Sequence, residues 1–233
     1  LKTLVVIPTY NEALTIEQTV LEVLDLEPKV SILVVDDNSP DGTSKVVSLL
    51  AQHEPRLTVL NRPDKKGLGL AYLAGFEWGF QNNVEFIVEM DADGSHRAID
   101  LKSLLESAPD ADLVIGSRWI AGGEVQNWPA HRRFVSKLGN SYAKFMLGTK
   151  LQDMTSGFRV YRASFLKKLI EREVSSHGYS FQVELAYRAS KSGVVIERPI
   201  SFVERVNGKS KMTLAIVLEA LTKVTFWGLK RLF

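Results

Sequence analysis

The 233-residue chain contains no cysteine. That excludes disulfides, thiolate metal ligands and a cysteine nucleophile, and it fits a reducing compartment. No sign of charge dominates: 29 Lys and Arg against 27 Asp and Glu leave a net charge of +2. Bulk electrostatics therefore does not direct the protein to nucleic acid, and any cationic surface must be local. No uncharged apolar run approaches the roughly 20 residues that span a bilayer. No signal-peptide pattern precedes the first apolar run, Leu4 to Ile7. Internal repeats and low-complexity tracts are lacking as well. The four histidines, His53, His96, His131 and His177, have no metal-ligand spacing, which leaves a supporting role for His96 at most. What is plentiful is apolar content, 45% of residues, enough for a sizeable core.

Short apolar runs alternate with helical patterns through the first half. Leu4 to Ile7, Ile32 to Val35, Leu57 to Leu60, Phe86 to Val88 and Leu113 to Ile115 read as strands. Ala13 to Leu26, a helix capped by Asp41 and ending at Ala51, and Leu68 to Phe80 read as helices. Such alternation argues for an α/β fold with a parallel sheet covered on both faces. In the second half, Arg132 to Leu147, Phe181 to Ser190 and Met212 to Phe233 read as helices. Phe158 to Tyr161 and Val194 to Val203 read as strands. No linker divides the chain. The expected organisation is one catalytic domain over 1–211 and an amphipathic helix over 212–233.

Open α/β sheets bind ligands beyond the carboxyl ends of their strands, and polar residues gather there repeatedly. The sharpest group is Met90-Asp91-Ala92-Asp93-Gly94, directly after an apolar strand. Two carboxylates one residue apart repel each other unless a hard divalent cation joins them, and that cation can bridge to diphosphate oxygens. In Asp36-Asp37-Asn38-Ser39-Pro40-Asp41-Gly42, Asp41 and Gly42 belong to a turn, and Asp37 is placed to accept from a ribose or a base. In Pro8-Thr9-Tyr10-Asn11-Glu12, Tyr10 offers a ring to a base or ribose, while Glu12 serves a nucleoside or a helix start. Lys65-Lys66-Gly67-Leu68-Gly69 precedes a helix as a phosphate loop does, but lacks the Walker pattern. Arg118, Arg132 or its neighbour Arg133, Arg205, Lys209 and Lys211 are candidate phosphate ligands. The segment from Arg205 to Lys211 reads as a loop that closes over a phosphate. The final segment mixes Phe226 and Trp227 with Lys223, Lys230 and Arg231, which suits a helix lying at a lipid surface or packed on the domain.

Taken together, the strings PTYNE (8–12), DDNSPDGT (36–43), KKGLGLAY (65–72), MDADGSH (90–96) and GSR (116–118) resemble the family-2 glycosyltransferases of the GT-A fold. DMTSGFR (153–159), GYSFQVE (178–184) and FVERVNGKSK (202–211) narrow the resemblance to the dolichyl- or polyprenyl-phosphate mannose synthases. The resemblance implies a GT-A fold and an inverting transfer of mannose from GDP-mannose to a polyprenyl monophosphate. It implies nucleoside contacts from Pro8, Tyr10, Glu12, Val35 and Asp37, and a donor contact through the Ala92 backbone. Asp91, Asp93 and Ser95 would surround Mg²⁺ or Mn²⁺, Arg205 and Lys211 would clamp the diphosphate, and Arg118, Arg132 and Ser136 would receive the acceptor phosphate. Asp91, Asp93 and Arg118 are then the expected catalytic residues. The expected location is peripheral, on the cytoplasmic face of a membrane. Another lipid-directed transferase using a UDP-sugar such as UDP-glucose is the second reading. A sugar-phosphate nucleotidyltransferase is disfavoured, because PTYNE stands where its Gly-rich basic loop belongs.

Overall fold

The structure, a computed structural model, describes residues 2–176, 178, 180–204 and 214–232. Seven strands form one sheet in the order β3-β2-β1-β4-β7-β5-β8. These are β1 (Thr3–Thr9), β2 (Val30–Asp36), β3 (Leu57–Asn61), β4 (Phe86–Glu89), β5 (Leu113–Ser117), β7 (Arg159–Arg162) and β8 (Val195–Pro199). A two-stranded sheet pairs β6 (Glu124–Gln126) with β9 (Ser201–Val203). The helices are α1 (Ile16–Leu26), α2 (Thr43–Ala51), α3 (Leu68–Gln81), α4 (Ala98–Ser107), α5 (Ala130–Leu147), α6 (Ala163–Ile170), α7 (Ser180–Ser192) and α8 (Leu214–Leu232).

The expected α/β sheet is present, with one departure: β7 runs antiparallel between β4 and β5. All other pairs in the large sheet are parallel. A second departure is the run 194–203, expected as one strand. It breaks at Ile200 into β8 and β9, which belong to different sheets. Ile200 is buried, and its N–H donates to Ser117 O at the end of β5. Helix α1 begins at Ile16 and not at Ala13, because Glu12 O accepts the N–H of both Thr15 and Ile16 in a preceding turn.

Strand alternation sorts the core into two layers. Leu4 and Val6 pack with Tyr72 and Phe76 of α3 and Phe181 of α7. Val5 and Ile7 pack with Ile16 and Val20 of α1 and Leu101 and Leu104 of α4. Helix α3 approaches the sheet closely because it presents Gly75 to β1. A Cβ on Gly75 would lie 2.4 Å from Val6 Cγ1. Val6 is a branched residue in a central strand and cannot swing away. Gly75→Ala is expected to destabilise the fold by about 1–3 kcal/mol, read as a lowered midpoint in thermal or denaturant unfolding.

Because β1 sends its connections to β2 on one side and, further along the chain, to β4 on the other, the order reverses beside β1. The carboxyl ends there form the crevice in which such sheets bind ligands. Pro8, lacking an N–H, is tolerated in β1 because β4 pairs only with Thr3 to Val6.

Helix α8 docks on the domain. Val224 is buried in the core, Tyr142 Oη and Thr225 Oγ1 share a hydrogen bond of 2.5 Å, and Lys223 Nζ donates to Ser175 O and Ser176 Oγ. Its other face leaves Leu218, Phe226 and Leu229 exposed. Of the two expectations for this segment, packing on the domain is what the structure shows. Among the described residues no helix is long and apolar enough to cross a membrane.

Candidate active site

The loops after β1 and β2 are built as one unit. Asp36 is wholly engaged in holding them: Thr9 Oγ1 donates to its Oδ1 at 2.8 Å, and Ser39 donates to it through both N and Oγ. Asp41 accepts from Thr43 N and Oγ1 and from Ala13 N, so it secures the start of α2 and ties it to the first loop. Asn11 N donates to Ser39 Oγ and Glu12 N to Thr43 Oγ1. Asn11 and Asn38 sit at φ of 59° and 57°, left-handed positions that Asn tolerates better than most residues. Of the acidic residues in DDNSPD, only Asp37 is left for a ligand.

Asp37 is buried, and its Oδ1 accepts from Arg62 Nη1 at 2.9 Å. Burial raises its pKa, opposed by the Arg62 charge. The Lys65 ammonium lies 3.8 Å from the centroid of the Tyr10 ring. Pro8, Tyr10, Glu12 and Asp37 thus share one corner of the rim, as expected. Val35 does not offer its side chain there. It is fully buried against α3, so only its backbone reaches the rim, where Val35 O accepts from Thr9 Oγ1.

The second corner lies beyond β4. Met90 N donates to Val6 O, which carries the chain past β1, and Thr19 of α1 donates to Ala92 O. Asp93 is buried and its Oδ1 accepts from Ser95 N at 3.0 Å. Asp91 is partly exposed and is positioned by His96: the Asp91 N–H donates to His96 Nδ1 at 3.0 Å. That bond requires Nδ1 to be unprotonated, so the proton sits on Nε2, 3.9 Å from Asp91 Oδ2. His96 stacks on Phe158 and is lowered in pKa by burial, which keeps it neutral. Its role is to orient Asp91, beyond what its spacing in the sequence revealed.

The donor set fits a hard cation. Ser95 Oγ is buried beside Asp93 and makes no hydrogen bond, leaving a hydroxyl oxygen next to two carboxylates, all ligand types that Mg²⁺ and Mn²⁺ accept. Among the described residues no three His, Cys, Asp or Glu form a cage. An ion held here has coordination positions to share with a diphosphate.

The third corner follows β5. Arg118 is buried and forks onto Asp153, with Nε to Oδ2 and Nη2 to Oδ1 both at 2.7 Å, while Nη2 also donates to Thr155 Oγ1. Its Nη1 makes no hydrogen bond to a described residue. The guanidinium lies 5.7 Å from Trp128, on whose ring Arg132 stacks at 4.0 Å. The two arginines are thus brought together around one indole. Arg133 is turned away, donating to Trp128 O. Arg132 also pairs with Glu204, and Ser136 follows it one turn along α5. Arg118, expected as a phosphate ligand, is thus also the partner of Asp153. It is a neutralised, rigidly held fork. Sequence reasoning quoted Asp153 and Thr155 within DMTSGFR but did not pair them with Arg118, because the contacts join residues 35 and 37 apart in the chain. Arg205 and Lys211 lie outside the described residues.

Between the second and third corners lies a buried polar group. Arg159 is fully buried, and Glu89 faces it across the β4–β7 pair, with Nε 3.9 Å from Oε2. Burial pushes Glu89 up to about 8, opposed by the Arg159 charge.

A polar corner of Tyr10, Glu12 and Asp37, a carboxylate pair suited to a divalent ion, and an arginine corner at the carboxyl edge of an α/β sheet fit a glycosyltransferase of the GT-A fold. The chain belongs to glycosyl transferase family 2, whose model matches residues 4–170. It is 46% identical over 230 residues to an undecaprenyl-phosphate mannosyltransferase of Micrococcus luteus, covering 98% of this chain and 95% of that one. It is 47% identical over 232 residues to a polyprenol monophosphomannose synthase of Mycolicibacterium smegmatis, covering 98% and 88%. Among solved structures, a mannosyltransferase of Pyrobaculum calidifontis in complex with GDP-Man and Mn²⁺ superposes with a TM-score of 0.58 at 18% identity, over 99% of this chain and 74% of that one.

Proposed function

We propose that this glycosyltransferase moves mannose from GDP-mannose to a polyprenyl monophosphate, with inversion, at a membrane surface. The observation that carries the reading is the joint placement of the Asp91–Asp93 pair and the Arg118–Arg132 corner on one rim, in a chain 46% identical to an undecaprenyl-phosphate mannosyltransferase.

Pro8, Tyr10, Glu12 and Asp37 hold the nucleoside, with Ala92 and the Val35 backbone beside it. Asp91, Asp93 and Ser95 would hold Mg²⁺ or Mn²⁺, which when bound offsets charge on the diphosphate. His96 keeps Asp91 oriented. Arg205 and Lys211 clamp the diphosphate. Arg118, Arg132 and Ser136 orient the acceptor phosphate toward the anomeric carbon. A phosphate monoester has a second pKa of about 6, so its oxygen is already anionic at neutral pH and no side chain needs to act as base. One displacement takes an α-linked donor to a β-linked product.

The membrane side of the reading rests on α5 and α8. Helix α5 carries no acidic residue, and Phe134, Val135, Leu138 and Phe145 are exposed on it among Arg133, Lys137 and Lys144. Exposed apolar residues bordered by cations suit a lipid interface. Transfer should be assayed with GDP-mannose or UDP-glucose and a short polyprenyl phosphate, with and without Mn²⁺. Metal-dependent mannosyl transfer is expected, and preference for UDP-glucose would overturn the donor assignment. In vesicle co-sedimentation, Phe134→Ser with Phe226→Ser should lower binding. Deleting the last helix is a poorer test, because it uncovers the α5 face and the core residues that Val224 covers.

A further inference from the structure

We infer that Arg159 is a positioning residue that aligns the metal-binding corner with the acceptor corner, acting through the loop from Asp153 to Gly157. The inference rests on the transfer reaction proposed above and adds a residue that the donor and acceptor sites do not contain.

The loop touches both half-reactions. At one end Asp153 grips Arg118. At the other, a Cβ placed on Gly157 would lie 3.7 Å from Asp91 Oδ1 and 3.5 Å from His96 Cε1, so the loop backbone runs against the metal carboxylate and the histidine that orients it. The distance between donor and acceptor therefore depends on the conformation of these five residues, which include no regular hydrogen-bonded element.

Arg159 supplies the missing order. Its Nε donates to Ser156 O at 2.8 Å, Nη2 to Met154 O at 2.8 Å, and Nη1 to Gln182 O at 2.8 Å and Tyr161 Oη at 3.1 Å. One rigid guanidinium thus binds two carbonyls of the loop and one of α7, while its own backbone is fixed in β7 opposite the strand that delivers Asp91. Asn140 of α5 holds the same loop from the other side, accepting from Met154 N and donating to Thr155 Oγ1.

Stability alone does not explain this arrangement. Glu89, the nearest carboxyl, stands 3.9 Å from Arg159 Nε with the Gln182 amide beside it, and Tyr72 Oη is buried without a hydrogen bond. Buried charges with incompletely bonded partners cost stability, and apolar replacements are often neutral or better. A guanidinium that spends its donors on backbone carbonyls instead of on a carboxylate is arranged to fix a backbone.

The test is Arg159→Lys. Lysine keeps the charge but cannot fork onto three carbonyls. Melting temperature, GDP·Mn²⁺ affinity, both KM values and kcat per folded molecule should be measured beside the wild type. Substrate affinities are expected to stay within about threefold, while kcat falls on the order of 100-fold, the scale of a misalignment near 1 Å. Should Arg159→Lys not fold, Asn140→Leu, which removes both bonds by which α5 holds the same loop, must show the same split between kcat and KM. A kcat within about threefold of wild type per folded molecule, or a loss matched by GDP·Mn²⁺ affinity, overturns the inference. Wild-type turnover in the same assay reports separately on the transfer reading.

Discussion

Asp93→Ala is expected to reduce kcat/KM for the donor on the order of 10³-fold while leaving the fold intact. Asp91 and Asp93 leave the sheet at the same crevice, but their surroundings differ. Asp93 is buried and bonded to Ser95 N. Asp91 is more open and is held by His96 through its own N–H. An ion at this place must be shared with ligand oxygens, because the described residues offer no third acidic or histidine ligand. Removing one carboxylate thus removes a large part of the protein's own grip, and the leaving diphosphate loses its partner. The variant should show weakened Mn²⁺ dependence in a titration of activity against metal, with partial recovery at millimolar ion. Asp36→Ala is the matched control. It removes a carboxylate from another strand end of the same rim, but among the described residues the Asp36 side chain bonds to Thr9 and Ser39, so it should lower thermal stability without altering metal dependence. Equal loss of metal response in both variants would contradict the division of labour between the two corners.

The division was only partly legible in the sequence. The strands before Pro8, Asp36 and Asp91 are short uninterrupted apolar runs between helices, and a parallel sheet follows from that pattern because both its faces are covered. Helices α4 and α6 were not foreseen: Ala98–Ser107 and Ala163–Ile170 are short, and the turns before them carry no strong cap. The antiparallel β7 was not foreseen either, since the direction of a four-residue strand depends on where its partners lie and not on its composition. At the site, the motifs placed Asp37, Asp91, Asp93, Arg118 and Arg132 on one rim. They assigned Asp37 to the ligand but did not reveal that Asp36 holds the first two loops together. Nor did they reveal that Val35 faces the core, that His96 orients Asp91, or that Asp153 occupies Arg118. The Arg118–Asp153 pair joins residues 35 apart in sequence, Val35 is turned by its packing on α3, and the His96–Asp91 bond depends on how the loop after β4 folds back; local spacing records none of these.

The engagement of Arg118 leads to the second large effect. Arg118→Lys is expected to lower kcat/KM for the polyprenyl phosphate by about 10²-fold, with GDP·Mn²⁺ affinity unchanged. A lysine retains the charge, so a purely electrostatic role would survive the change. The structure argues for a geometric one. Asp153 already neutralises Arg118 through two bonds of 2.7 Å, and Glu204 pairs with Arg132. What these pairs present to an incoming phosphate is therefore not net charge but fixed N–H directions, held by the fork on Asp153 and by the Trp128 ring between the two arginines. Lysine has neither the fork nor the planar face. The same argument predicts that the acceptor KM changes little between low and moderate salt, because the Arg118–Asp153 pair is neutralised and buried, and such pairs are screened far less than exposed charges. Asp153→Asn should separate the terms further. It weakens the fork while leaving Arg118 more cationic, so an electrostatic acceptor site would bind the lipid phosphate more tightly and turn over faster. A geometric site loses kcat even as affinity rises, and that opposition between kcat and KM is the result expected.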